Sequence, residues 1–475
     1  MEYPRLAAPS IAGGGEAATP GGGPTPAVSV CNSFRMRGHD MADLLALSAR
    51  YIDNDIYEGA GLVNRPTTEL SELGDGIAMI EAFSHVVVFR TGDGLVLFDT
   101  SLEAFAGGVL KSLRRWTDEP VSNICYTHGH ADHVGGTGAF VCEACEKSAR
   151  RPRIIGHENV SPRFRRYELT NGYNYTINAR QFAPAAELRM GEGSAAPGPR
   201  RFGPDPWIEP DTTFRDRLEI RAGDTRFELR HAIGETDDHL WAWVPEHKAI
   251  CSGDFVTWVF PNAGNPQKVQ RYPLEWAQAL REMAALEPEL LLPAHGLPIA
   301  GRARIATVLD NIATALETLV SQTLDMMNAG ARLDDIVHGV KLPDSLMNKP
   351  YLRPVYDEPE FVIHNIWRLY GGWYDGNPAR LKPASDAALA AELAGLAGGA
   401  GALAARASAL AEAGELRLAC HLAELAVQAA PEDREAHGVR ASVYAARRKA
   451  ESSLMAKGIF GFAERESAKK ASPGA

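Results

Sequence analysis

Between Gly74 and Gly301 short, dense apolar runs alternate with amphipathic stretches. "GIAMIEAF", "HVVVFRT" and "GLVLFDT" are rich in β-branched and other apolar residues and are closed by polar or glycine-containing turns such as Gly92-Asp93-Gly94, so they predict strands. "VSNICYTH", "PRIIGHE", "RFELRHAIG", "LWAWVPEHKAICSGD" and "ELLLPAHG" predict more strands, with a turn near Pro245-Glu246. "SLEAFAGGVLKSLRRW" and "PLEWAQALREMAALEP" carry apolar residues at helical spacing, the second stopping at Pro288. Strands alternating with helices predict an α/β or a layered αββα domain that ends near Gly301.

Beyond Arg302 the strand pattern gives way to helices. "RIATVLDNIATALETLVSQTLDMMNAG" predicts a long amphipathic helix ended by Gly330, and "FVIHNIWRLYGGW" predicts another after a turn-rich stretch. From Ala384 four Ala- and Leu-rich helical runs follow, broken by Gly or Pro. "GELRLACHLAELAVQAAPEDREAHGVRASVYAA" reads as one helix–turn–helix repeat. A solenoid needs several stacked copies, so an all-α packing or oligomerisation domain is expected instead. The predicted organisation is a disordered Gly-, Pro- and Ala-rich tail (1–35), an α/β domain (36–301), a helical domain (302–464) and a C-terminal tail (465–475).

A chain of 475 residues is too long for one ordinary core, which agrees with two domains. The net charge of -11 disfavours a general nucleic-acid binder, which needs a basic face. Lys147, Arg150, Arg151, Arg153, Arg163, Arg165 and Arg166 nevertheless cluster in sequence. They read first as a solvated loop and second as a positive rim that draws in anions. Six scattered cysteines do not make a disulfide framework, and Cys142 and Cys145 are expected as reduced thiols. No secretory signal and no membrane span is predicted, and the expected compartment is the cytoplasm.

"ICYTHGHADHVGG" changes the picture. In extended chain, residues i and i+2 share a side, so His128 and His130 project together from a strand end. Asp132 and His133 follow where a helix can begin, and Gly135 and Gly136 are expected to let the backbone bend. Four ligand-competent side chains in one small volume suit two cations ~3.5–4 Å apart better than one. Further candidates stand at later strand ends: His239 in "GETDDH", Asp254 in "SGD" and His295 in "PAHG". Imidazole and carboxylate together suit zinc, with iron or manganese as alternatives. The lone His39, His85, His338 and His437 read as surface or hydrogen-bonded residues. His157, His231, Tyr173, Tyr175, Asn262 and Arg271 are candidates for a pocket wall. Arg271 is the first choice for an anionic group, because a guanidinium forks onto sulfate or carboxylate oxygens.

"THGHADHVGG", preceded by "FDT" and followed in order by "GETDDH", "SGD" and "PAHG", resembles the signature of the metallo-β-lactamase superfamily. The resemblance implies an αββα sandwich with a dinuclear site. It places His128, His130 and His239 on one metal and Asp132, His133 and His295 on the other. Asp254 would bridge, and Asp99 would steer a histidine. "RLYGGWYDGNPARLKP" and the Ala-rich helices after it resemble the dimerisation domain of alkyl sulfatases, which hydrolyse sulfate esters of fatty alcohols. That implies a homodimer. The expected chemistry is a water activated between two zinc ions per subunit, with Asp132 orienting it and Arg271 receiving an anionic ester. Alkyl sulfatases carry glutamates where this chain has His239 and Asp254, and no sterol-carrier-like domain is expected in these residues. A thioesterase, lactonase or β-lactamase-like hydrolase uses the same site and stays open. So does a non-catalytic protein that binds a partner through its helices, although the intact ligand set speaks against it.

Overall fold

The computed structural model describes residues 43–59, 61, 64–182 and 201–472. The tail expected over 1–35 lies outside the described residues, as do Cys31 and His39.

Among the described residues, thirteen strands form two sheets in strict chain order. The first sheet holds β1 (Leu70–Gly74), β2 (Ile77–Ile80), β3 (Val86–Arg90), β4 (Leu95–Phe98), β5 (Val121–Cys125), β6 (Arg153–His157) and β7 (Thr212–Phe214). It is antiparallel through β4 and parallel from β4 to β7. The second sheet holds β8 (Arg217–Ala222), β9 (Thr225–His231), β10 (Leu240–Val244), β11 (Ala249–Gly253), β12 (Leu290–Pro293) and β13 (Ile299–Ala300), with only β11 and β12 parallel.

The period-two geometry of a strand explains why these runs are apolar on both faces. In β3 and β4, Val87, Phe89, Val96 and Phe98 point into the space between the sheets, where they meet Phe227, Leu229, Ala242 and Cys251 of the second sheet. Their neighbours Val86, Val88, Leu95 and Leu97 point the other way, onto Val109 and Leu113 of the helix Glu103–Trp116. On the far side, the helices Pro273–Ala285 and Arg302–Asn328 pack on each other, and the second also meets β12 and β13. The expected αββα layering is therefore present. Arg302–Asn328, which the sequence placed at the head of the helical domain, serves as the outer layer of the sandwich.

The remaining helices are Pro359–Gly371, Asp386–Ala397, Ala400–Glu412, Leu416–Ala429, Arg434–Ala450 and Leu454–Ala471, with shorter turns between. The last one runs through residues 465–471, where the sequence predicted a tail. The correction has a cause in side-chain bonding: Ser467 Oγ accepts from Arg440 Nη1 at 2.7 Å and pairs with His437 Nδ1 at 3.1 Å, which pins the final turns. His437, read as a lone histidine, is thus a buried hydrogen-bonded one. Among the described residues, no single helix is long and apolar enough to cross a membrane.

Two parts of the first domain were not foreseen as elements. The helix Val160–Leu169 covers the end of the stretch read as a basic loop, and the helix Asn171–Phe182 follows it. Arg163 is buried there and pairs with Asp237 and Asp238, whereas Lys147, Arg150, Arg151, Arg153 and Arg165 are exposed. The cluster therefore divides into one structural cation and a solvated set. Cys142 and Cys145 are exposed free cysteines on the helix Thr137–Glu146.

Candidate metal centre

The site is assembled at strand ends. Asp99 follows β4, the segment His128–His133 follows β5, Glu235 and His239 lie between β9 and β10, Asp254 follows β11, and His295 follows β12. Backbone bonds fix these ends: Asp99 N–H donates to Cys125 O, Leu240 N–H to Thr127 O, and Ala294 N–H to Gly253 O. Gly253 takes φ 52°, and a Cβ there would stand 2.8 Å from His239 Cε1 and 2.9 Å from Thr127 Cβ. Only glycine brings β11 this close to the first histidine segment.

His128, His130, Glu235 and Asp254 form one group of ligand-competent atoms, all within 4.8 Å of one another, and Asp132, His133 and His295 form a second. Asp254 faces both: its Oδ2 is 3.9 Å from His128 Nε2 and 3.5 Å from His133 Nε2, and its Oδ1 is 3.6 Å from His295 Nε2. Asp132 Oδ2 lies 3.5 Å from His133 Nε2 and 3.4 Å from His295 Nε2. His128 Nε2 and His130 Nδ1 converge to 2.8 Å. Six of the seven residues expected as ligands are therefore in the two groups. The seventh, His239, stands beside them. Its ring centroid is 4.6 Å from that of His128, and its Nε2 accepts from the Asp254 N–H at 3.1 Å. Glu235, four residues earlier, closes the first group, and sequence reasoning had not singled it out.

Supporting contacts orient these side chains. His133 Nδ1 donates to Asp99 Oδ2 at 2.7 Å, while Thr127 donates to Asp99 through N–H and Oγ1, each at 2.7 Å. That fixes the His133 ring with Nε2 directed at the carboxylates. Arg271 Nη1 lies 2.9 Å from Glu235 Oε1 and also donates to the Glu235 carbonyl, and Asn262 Nδ2 donates to Oε1 as well. The pocket candidates His157 and His231 stack on each other at 3.7 Å, and His231 Nδ1 bonds the His239 carbonyl. Tyr173 is exposed. Gly135 and Gly136 have ordinary φ of -61° and -78°. Their lack of a side chain is needed for close approach, not for bending, since a Cβ on Gly136 would lie 2.1 Å from Thr100 O.

The electrostatics fit a cation. Burial, then neighbouring imidazoles, holds His128 well below the usual imidazole range, and burial with Arg271 does the same to His130, so both are neutral donors. Burial would also lower His133, but Asp254, Asp99 and Asp132 outweigh it and hold that ring well above the range; Asp254 and Asp132 likewise raise His295. Burial pushes the Glu235 carboxyl well up, with Arg271 opposing and Asp254 adding to it. Asp254 resists its own burial because His133 and His295 hold it down. The carboxylates thus favour positive charge in the space that they share with these imidazoles. His133 Nε2, Glu235 Oε2, His239 Nδ1 and Asp254 Oδ1 are buried without a hydrogen-bond partner. Buried polar atoms are rarely left so, and here all four belong to residues of the two ligand-competent groups or to His239 beside them. The donor set of imidazole and carboxylate fits a pair of divalent ions.

Known proteins share this organisation. Residues 80–295 match the family model described as Metallo-beta-lactamase superfamily, and residues 332–470 match Alkyl sulfatase dimerisation. A linear primary-alkylsulfatase from a Pseudomonas strain is 29% identical over 329 residues, 66% of this chain and 59% of that protein. An alkyl/aryl-sulfatase of Saccharomyces cerevisiae is 26% identical, over 74% of this chain and 56% of that protein. The chain thus spans less than two thirds of these curated relatives. A stereoselective inverting sec-alkylsulfatase from Pseudomonas sp. shares the fold at a TM-score of 0.73 and 20% identity, over 86% of this chain and 66% of that one.

Proposed function

We propose, for a chain that carries a metallo-beta-lactamase domain followed by an alkyl sulfatase dimerisation domain, that it is a dinuclear metal-dependent hydrolase of alkyl sulfate esters. The observation that carries the reading is Asp254, whose two oxygens face both groups of ligand-competent side chains. His128, His130, Glu235 and Asp254 would hold one ion, with His239 against them, and Asp132, His133, His295 and Asp254 the other. When bound, two such ions activate water at neutral pH and take up charge that develops on an ester or leaving oxygen. Zinc is the first choice for this donor set.

The chain's own residues do the rest. Asp99 keeps the His133 ring in the orientation that presents Nε2. Asp132, half-buried at the mouth between His133 and His295, has a carboxylate able to orient an attacking water. Arg271 holds Glu235 through side chain and carbonyl and screens its buried charge. Alkyl sulfates are the proposed substrates because the curated relatives reported above are named alkylsulfatases and residues 332–470 of this chain match the alkyl sulfatase dimerisation model.

The helical domain is proposed to join two copies. Tyr370, Trp373, Tyr374 and Leu381 are exposed along 370–381, Trp373 at 70%, and a surface aromatic cluster of this kind is suited to burial against a partner. Light scattering after size exclusion tests it, with a mass near twice 51.3 kDa expected and a monomer contradicting it.

A panel of dodecyl sulfate, an acyl thioester, a lactone and a β-lactam, run with and without chelator, tests the activity. Chelator-sensitive turnover of the sulfate ester above the others is expected. Preference for the thioester, lactone or β-lactam would replace the substrate assignment and leave the metal centre standing.

A further inference from the structure

Arg271 was the cation that the sequence offered to an anionic substrate. The structure has already committed it: its Nη1 faces Glu235 Oε1 at 2.9 Å, and both side chains are almost fully buried. A guanidinium neutralised by a carboxylate has little charge left for a ligand. Another cation stands nearby. Lys268 lies on the loop between β11 and the helix Pro273–Ala285, and its Nζ donates to Asn178 Oδ1 at 3.0 Å. Its partner is a neutral amide, and among the described residues no carboxylate forms an ion pair with it. Its loop is tied to the candidate metal centre on both sides of it, by Asn262 before and Arg271 after, each of which contacts the Glu235 carboxylate. Burial, with Arg271, lowers Lys268 to about 7 against Asp132 and Glu235, which is the signature of an ammonium short of counter-charge.

The surroundings of Lys268 are built for a polar ligand. Gln181, one turn beyond Asn178, is fully buried, and its Oε1 has no partner, while its Nε2 donates weakly to Tyr356 OH at 3.4 Å. Asn262 Oδ1 and Asn265 Nδ2 are also buried without partners. Tyr356 is tied to this region by its contact with Gln181. Leaving several buried polar atoms unpaired beside one uncompensated cation is costly unless a ligand completes them.

We propose that Lys268 is the specificity-determining residue that receives the oxyanion head of the ester, with Asn178 aiming its ammonium group and Arg271 acting as a positioning residue for Glu235. This rests on the ester-hydrolase reading above and extends it to the recognition of charge. The helical domain sets the height of the receiving wall. The helix Leu454–Ala471 packs along Asn171–Phe182, and Gly458 approaches the Gln181 carbonyl so closely that a Cβ would stand 1.6 Å from that oxygen.

The test compares wild type with Lys268→Met, and with Lys268→Gln should the methionine variant fail to fold. Two quantities are read: the ratio of kcat/KM for dodecyl sulfate to kcat/KM for an uncharged acyl ester, and the affinity for inorganic sulfate by calorimetry. Loss of one charge-assisted contact predicts a fall of about 10- to 100-fold in the ratio, carried mainly by KM, and a comparable fall in sulfate affinity. Lys268→Arg, which keeps the charge, is expected to recover most of both. A ratio and a sulfate affinity within twofold of wild type overturn the assignment, as does a wild type that binds no sulfate. If the wild type hydrolyses neither ester, the hydrolase reading fails. The calorimetry then still decides Lys268: sulfate binding lost in the variant upholds it, and unchanged binding overturns it.

Discussion

His133 Nδ1 lies 2.7 Å from Asp99 Oδ2, and both side chains are buried to within 1% of completely. Burial pushes the Asp99 carboxyl up, and His133 and Thr127 pull it back towards ionisation. The pair locks the ring so that Nε2 meets Asp132 and Asp254. Asp99→Asn retains the size of the side chain and can still accept from Thr127 N–H, but it no longer accepts reliably from Nδ1–H. Metal affinity should fall about 10- to 100-fold, read by competition with a chelator of known affinity.

Removing Arg271 strands a buried carboxylate. Arg271→Met leaves Glu235, 3% exposed, without its cationic partner and with the neutral amide of Asn262 as its remaining side-chain donor. The variant should lose about 3–5 kcal/mol of stability in urea unfolding. Arg271→Met combined with Glu235→Gln should recover part of that loss, because the double variant no longer buries an unpaired charge.

Gly136→Ala would press a methyl group onto Thr100 O, 2.1 Å away, in a segment whose backbone also ties Thr100 N–H to His133 O. The chain must move, at a cost of about 1–3 kcal/mol or more. A lowered urea midpoint together with weakened metal binding is expected, since the strain falls on the ligand segment itself.

Glu81 supplies a pH signature. Its carboxyl is 2% exposed; burial raises it to about 7 from 4.5, with Arg65 and Thr67 opposing. Because the folded-state value lies above the unfolded one, the folded chain holds more protons between those two pH values, and stability falls as pH rises through that window. Glu81→Gln removes the dependence. The variant should gain on wild type by about 1–3 kcal/mol between pH 4.5 and pH 8, read from paired urea melts.

Much of the site was legible because its ligands stand at strand ends that the apolar pattern already marks. His128 and His130 follow from the i, i+2 rule, and Asp254 and His295 from the ends of β11 and β12. Glu235 was not legible. Its loop offers Glu235, Asp237 and Asp238 within four residues, and only the folded loop sorts them: Asp238 turns to Gly129 N–H and Arg163, Asp237 to Arg163, and Glu235 to Arg271 and the histidines. The same pairing hid Arg163 inside a stretch that looked solvated. β7 escaped notice because it is only three residues long, and β8 because one of its faces is charged and exposed at Arg217, Glu219 and Arg221. The helix Asn171–Phe182 escaped because its buried face is mostly Asn174, Asn178 and Gln181, with Ile177 as its one buried apolar residue, so it has no apolar stripe to read.

The central claim is that Asp254 joins two ligand groups into a pair of cation sites. Elemental analysis of wild type and Asp254→Asn, both purified from metal-replete growth, tests it most directly. The account predicts two divalent ions per wild-type chain, with at least one lost in the variant. Fewer than one ion per wild-type chain, alongside intact ester hydrolysis, would contradict it.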